Sequence, residues 1–190
     1  EHPDESKQSM IARVHAGAAN DVDPRAALDH VEQRLAGFEG ELQQLGRIDA
    51  LTGLPNRIAL RQRIGDAIQH AQRSGDGELA LLFIDLDNFR LLNNGYGHRV
   101  GDEMLAIVAS RMRDVVGEPH LLGRRGGDEL VVLLVDLQRP DAAVEVARKL
   151  IDAICEPARI LGMEIAVTAS VGISFFPQDG VDLDSLLNAA

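Results

Sequence analysis

The sequence predicts an α+β domain in which a mixed or antiparallel sheet is covered by helices, preceded by a helical connector. Two observations carry this. Leu79-Ala80-Leu81-Leu82-Phe83-Ile84 is a continuous apolar run without polar alternation, as a central strand covered on both faces requires. His120–Arg125 and Leu130–Val135 are strand-like segments separated by Gly126-Gly127-Asp128-Glu129, a composition suited to a tight hairpin. A hairpin in the middle of the element order excludes a wholly parallel sheet, so a doubly wound fold fits less well.

Residues 1–24 alternate apolar islands such as Met10-Ile11 with Gly17, Asn20, Asp21, Asp23 and Pro24, and read as a linker. Over residues 25–48, Leu28, Val31, Leu35, Phe38, Leu42 and Leu45 recur at spacings of three and four, a heptad seam weakened by Gly37 and Gly40. It fits either a dimeric coiled coil or a stripe packed on a neighbouring domain. The seam breaks at Asp49-Ala50-Leu51-Thr52-Gly53-Leu54-Pro55-Asn56-Arg57, where Gly and Pro enforce a turn and Asn56 can cap the next helix. A second domain therefore spans residues 49–190. Its first helix shows an apolar face through Leu60, Ile64, Ala67, Ile68 and Ala71 and ends at Ser74-Gly75-Asp76-Gly77. The apolar strand follows and terminates in Asp85. A long helix is predicted over residues 101–116 from Met104, Leu105, Val108, Met112 and Val115. After the hairpin come a helix over 140–156, through Ala143, Val146, Ala147, Leu150 and Ile154, and a strand over 164–175.

A length of 190 residues allows one full domain plus a short appendage, and 45% hydrophobic with 26% charged content excludes global disorder. Nineteen Lys+Arg against thirty Asp+Glu give a net charge of −11, which disfavours nucleic-acid and anionic-lipid partners. The single Cys155 excludes an intrachain disulfide and a multi-thiolate zinc site, leaving a reducing cytoplasm as the expected setting. No apolar run approaches the ~20 residues that span a bilayer, and Glu1-His2-Pro3-Asp4-Glu5 is not a signal peptide. A start without Met and a stop at Ala190 within a helical pattern read as a piece of a longer protein, compatible with a membrane tether elsewhere.

Asp85 and Asp87 at the mouth of the buried strand, and Asp128 and Glu129 at the hairpin tip, are acids placed at loop ends. Brought together, such hard oxygen donors favour Mg²⁺ or Mn²⁺ over zinc; taken singly, they are ordinary turn acids. Asn93 alone would serve as a helix cap and Asp102 as a first-turn acid that complements the helix dipole.

Six blocks occur in order: Asp49-Ala-Leu-Thr-Gly-Leu-Pro-Asn-Arg57, Phe83-Ile-Asp-Leu-Asp-Asn-Phe-Arg90, Asn93-Asn-Gly-Tyr-Gly-His98, Gly101-Asp102, Arg124-Arg-Gly-Gly-Asp-Glu-Leu130 and Ala169-Ser-Val-Gly-Ile-Ser174. As a set they resemble the GGDEF family, the diguanylate cyclases, over residues 49–190. The resemblance implies a nucleotidyl-cyclase-like core, a largely antiparallel sheet wrapped by helices, behind an N-terminal signalling helix. It also implies condensation of two GTP into cyclic di-GMP and two pyrophosphates by a homodimer, one GTP per domain, with Mg²⁺ or Mn²⁺ as cofactor.

Carried over residue by residue, Asp85, Asp128 and the Leu86 carbonyl are metal ligands, with Glu129 as an additional one. Asp128 is also the base for the ribose 3′-hydroxyl. Asn93 and Asp102 match guanine-binding positions, Asn88 and Phe89 fall at substrate-binding positions, and His98 belongs to a Gly-His signature near the phosphates. Arg90 stands where the family has a phosphate-binding or transition-state-stabilising Lys. Gly126 and Gly127, lacking Cβ, let the hairpin approach the nucleotide.

The chain departs from the pattern at Leu130 for Phe, Asn94 for Asp, Arg90 for Lys and Arg125 for an aromatic residue. It also stops before a helix in which the family has an Asp, a Tyr and a phosphate-binding Lys, so weak GTP binding is expected of the chain as it stands. The product-inhibition site, an Arg-x-x-Asp ahead of the glycines, is expected to be lost, since its positions hold Gly117 and His120. Two functions follow from the resemblance: a cyclase regulated by an upstream sensor, or a weakly active or inactive GTP-binding domain that controls an attached EAL phosphodiesterase.

Overall fold

The structure, a computed structural model, describes residues 46–74 and 78–190. The predicted linker and nearly all of the heptad seam lie outside the described residues. Helix α1 (Arg57–Ser74) starts as anticipated: the Asn56 Oδ1 accepts from the Ile58 and Ala59 amides at 3.0 and 3.2 Å. Strand β1 (Leu79–Asp87) runs two residues beyond its predicted end. The Asp87 carboxylate accepts hydrogen bonds from the Thr168 and Ser170 hydroxyls, both at 2.7 Å, and so keeps the acidic tail in the ladder.

A short helix α2 (Phe89–Tyr96) follows, which the sequence did not reveal, and α3 (His98–Val116) begins three residues earlier than predicted. Asn93, Asn94 and Gly95 are poor helix formers. Burial of Phe89 and Leu92 against the core supplies what propensity lacks. The hairpin arms are β2 (Leu121–Gly126) and β3 (Glu129–Leu134), and α4 (Asp141–Cys155) matches its expectation within a residue at each end.

The predicted strand over 164–175 is corrected. Its first part belongs to a separate two-stranded ribbon, β4 (Ala158–Ile160) with β5 (Met163–Ile165), and the sheet strand β6 runs from Thr168 to Phe176. Leu161 and Gly162, at φ 49° and 82°, form the ribbon's two-residue turn, and left-handed backbone at both positions is what such hairpins need. Helix α5 (Leu183–Ala189) opens with a capping box between Asp182 and Ser185.

The four-stranded sheet has the order β2-β3-β1-β6, and every pairing is antiparallel. Side chains alternate across it and divide the core. One face presents Ala80, Leu82, Ile84, Leu86, Leu130, Val132 and Leu134 to α2, α3 and α4, along with Met104, Leu105, Met112, Leu150 and Ile154. The other presents Leu79, Leu81, Val131, Leu133 and Phe176 to α1 and α5, through Leu60, Ile64, Ile68 and Leu186. No helix among the described residues is long and apolar enough to cross a membrane.

Candidate active site

The second face is apolar at one end and acidic at the other. Strand alternation places Phe83, Asp85 and Asp87 on it in succession. Asp85 stands directly across from Glu129 on β3 and from Ser170 on β6, and Asp128 lies in the adjoining turn. The hairpin can turn this tightly because Gly126 and Gly127 sit at φ 153° and 55°. An added Cβ would meet nothing within 4 Å at either glycine, so a side chain there is opposed by backbone conformation rather than by crowding.

The acids affect one another. Burial, followed by the charges of Asp128, Glu129 and Asp87, pushes the Asp85 carboxyl above its ordinary value. Asp87 behaves oppositely: the hydroxyls of Thr168 and then Ser170 hold it below the usual carboxylate range. Asp87 is thus spent on the β1–β6 ladder, whereas Asp85 is left facing like charge. Glu129 is engaged from the side, its Oε2 accepting from the Arg125 guanidinium at 2.7 Å.

Among the described residues no three His, Cys, Asp or Glu side chains gather closely enough to enclose a metal by themselves. The donor set nevertheless fits a divalent cation. Two carboxylates, Asp85 and Asp128, are hard oxygen donors whose mutual repulsion a cation would relieve. The Leu86 side chain is apolar and packed in the core at 1% exposure, so any ligand this residue supplies is its main-chain carbonyl.

Helices α2 and α3 carry the second group of expected site residues. Asn88, at φ 56°, turns the chain from β1 into α2. The Phe89 side chain is buried in the core, so any ligand contact there uses its amide. Arg90, His98 and Asp102 are exposed. Asn93 is a helix residue and not a cap, and its Oδ1 is buried without a hydrogen-bond partner. A Cβ built on Gly101 would lie 1.9 Å from that oxygen, so the α3 backbone reaches Asn93 only because residue 101 has no side chain. An unpaired buried amide oxygen carries a desolvation cost that a donor can remove.

Sequence reasoning missed the clamp that holds the hairpin. The Arg124 Nη1 reaches both Asp49 carboxylate oxygens at 3.0 and 3.1 Å, while its Nε and Nη2 donate to the Gly127 carbonyl at 3.0 and 2.7 Å. Asp49 also accepts from the Thr52 amide and hydroxyl at 2.9 and 2.7 Å. Burial raises the Asp49 carboxyl, but these Thr52 and Arg124 donors outweigh it and hold the group low. The signal was the Asp-x-x-Thr spacing, an acid with a hydroxyl and amide in reach three residues on.

Residues 47–190 match the family described as diguanylate cyclase, GGDEF domain. The bifunctional diguanylate cyclase/cyclic di-GMP phosphodiesterase MucR of Pseudomonas aeruginosa is 44% identical over 146 residues, which are 77% of this chain and 21% of that protein. The cyclic di-GMP phosphodiesterase NbdA of the same organism is 38% identical over 149 residues, 78% of this chain and 19% of the relative. The chain spans about a fifth of the length of these curated relatives. Among solved structures, a sensory box/GGDEF family protein of Caulobacter crescentus superposes with a TM-score of 0.71 at 37% identity, covering 76% of this chain and 92% of that one.

Proposed function

The chain belongs to the GGDEF-domain family of diguanylate cyclases, and from that premise we propose that in its full-length setting it condenses two GTP into cyclic di-GMP and two pyrophosphates. The supporting observation is the meeting of Asp85, Asp128 and Glu129 at the uncovered end of the sheet, beside a two-glycine turn. In this reading Asp85, Asp128 and the Leu86 carbonyl hold a divalent cation, Mg²⁺ or Mn²⁺, with Glu129 as an additional ligand. Such a cation offsets triphosphate charge and lowers the pKa of the attacking hydroxyl.

The chain's own groups do the rest. Asp128 takes the proton of the ribose 3′-hydroxyl, whose oxygen bonds to the α-phosphorus of the second GTP as the bond to pyrophosphate breaks. Arg90 sets a guanidinium against the charge on the leaving phosphates, with His98 and the amides of Asn88 and Phe89 nearby. Asn93 and Asp102 satisfy the guanine edge, its O6, N1–H and N2–H₂, and adenine leaves them unpaired. Because each domain holds one GTP, two copies face each other as a homodimer, placed by the N-terminal helix that answers a sensor.

Turnover of GTP by the full-length protein with Mg²⁺, with products separated by chromatography, tests this reading. Cyclic di-GMP is the expected product. GTP binding without turnover would favour the second reading, a regulatory GTP-binding domain that controls an attached phosphodiesterase. The name of NbdA, a phosphodiesterase, favours this second reading, whereas that of MucR, which carries both activities, is compatible with either.

A further inference from the structure

Arg125 occupies a position created by an irregularity in the hairpin. Arg124 pairs with Leu130 and Gly126 with Glu129, so the ladder slips by one residue between them and Arg125 is the bulged residue. A bulge re-aims its side chain. The two adjacent arginines thereby separate, Arg124 to Asp49 and the Gly127 carbonyl, Arg125 to Glu129. The Arg125 guanidinium also lies over the Phe83 ring, 5.7 Å from its centroid, on the face that carries Asp85 two residues on. Stacking on an aromatic ring restrains the side chain, so its charge is already placed at the acidic end before any ligand arrives.

The geometry points to Arg125 as a positioning residue: it holds Glu129 away from the cation site, and Glu129 joins a cation only by leaving Arg125. This rests on reading Asp85, Asp128 and Glu129 as the cation-binding group. The two possible contributions share a sign. Breaking the pair frees a carboxylate, and removing the guanidinium removes a repulsive charge; both tighten cation binding. Side chains that are 37% and 34% exposed make the pair loose enough to exchange.

The test measures Mn²⁺ affinity, from the electron paramagnetic resonance of free Mn²⁺, on the 190-residue chain. Arg125→Met keeps a stem on Phe83 and removes the charge. It is expected to bind Mn²⁺ about three- to tenfold more tightly, the scale of one partly exposed ion pair plus relieved repulsion. In a Glu129→Gln background the same substitution is expected to gain less, keeping only the part that comes from relieved repulsion. Unchanged or weaker binding by Arg125→Met would overturn the inference, as would a gain that persists in full in that background. Arg125→Lys keeps charge but not the planar fork, and an affinity between the other two supports the pair itself as the restraint. If Asp85→Ala and Asp128→Ala bind Mn²⁺ as well as wild type does, the cation-site reading fails instead, whatever Arg125 does.

Discussion

Ile84 and Asp85 are neighbours in sequence and opposites in surroundings. Ile84 points into the face closed by α2, α3 and α4 and is fully buried, whereas Asp85 points to the other face, where α1 and α5 cover only the apolar end. On the closed face the strand contributes packing; on the open one it contributes charge that the fold does not neutralise. One strand therefore does two jobs at a spacing of a single residue, which only strand alternation allows.

Substitutions at the two neighbours should separate activity from stability. Asp85→Ala and Asp128→Ala are expected to lower cyclic di-GMP formation roughly a thousandfold or more, the scale of losing a group that acts on transition-state charge. Their urea midpoints should match or exceed wild type, because Asp85 faces like charge. Near-normal turnover by either would remove it from the site. Ile84→Ala is expected to cost about 2–5 kcal/mol by equilibrium unfolding, through lost transfer energy and a cavity. A cost as small as that of Asp85→Ala would mean the closed face is loosely packed.

Gly101→Ala sharpens the comparison from the side of α2 and α3. The added methyl must displace the Asn93 amide, at about 1–3 kcal/mol for overpacking, and should reduce preference for GTP over ATP about tenfold in calorimetric titration. Unaltered selectivity would detach Asn93 from guanine recognition.

The pH dependence of stability differs between the two acids. Asp49 is held below its ordinary 3.8, so the stability it contributes is complete above 3.8 and is lost as pH falls through the lower folded value. Asp85 is held above 3.8, so its ionisation costs stability as pH rises from the ordinary value through the raised one. Urea midpoints from about pH 2 to pH 6 should show a shallower acid limb for Asp49→Asn, and for Asp85→Asn a gain at the upper end. A parallel pair of curves would put the Asp49 clamp outside the stability of the fold.

The smallest expected effect is none. Gly117, at φ 57°, and His120 line a surface groove with Arg63 and Arg113, and Arg113 already donates to the Thr52 carbonyl at 3.1 Å. Isothermal titration of cyclic di-GMP should detect no binding that changes on substitution of Gly117 or His120. Micromolar binding lost with either would restore the inhibitory site.

What could be read in the sequence divides along the same faces. The apolar run of β1 and the periodic stripes of α1, α3 and α4 were legible because burial dictates them one residue at a time. Helix α2 was not, since its stability comes from Phe89 and Leu92 meeting partners distant in sequence, and Asn93-Asn94-Gly95 argues locally against it. The β4–β5 ribbon was hidden inside an apolar stretch whose Leu161-Gly162 turn breaks no hydrophobic pattern. The acids themselves were visible, and their motifs identified the family. The partners were not: that Asp87 belongs to Thr168 and Ser170, and that Arg124 and Arg125 diverge, follows from the register of strands far apart in sequence and from one bulge.

The place of β1 between β3 and β6 also governs the order in which this chain can be made. Leaving the ribosome, Leu79–Asp87 precedes its first partner, at Glu129–Leu134, and its second, at Thr168–Phe176. Until the last of these arrives, a largely apolar strand retains a bare edge with unpaired amides and carbonyls, the kind of surface that recruits a neighbouring chain. A product terminated before Thr168 should therefore collect in the insoluble fraction although every proposed cation ligand is already present, because solubility depends on a strand that supplies none of them.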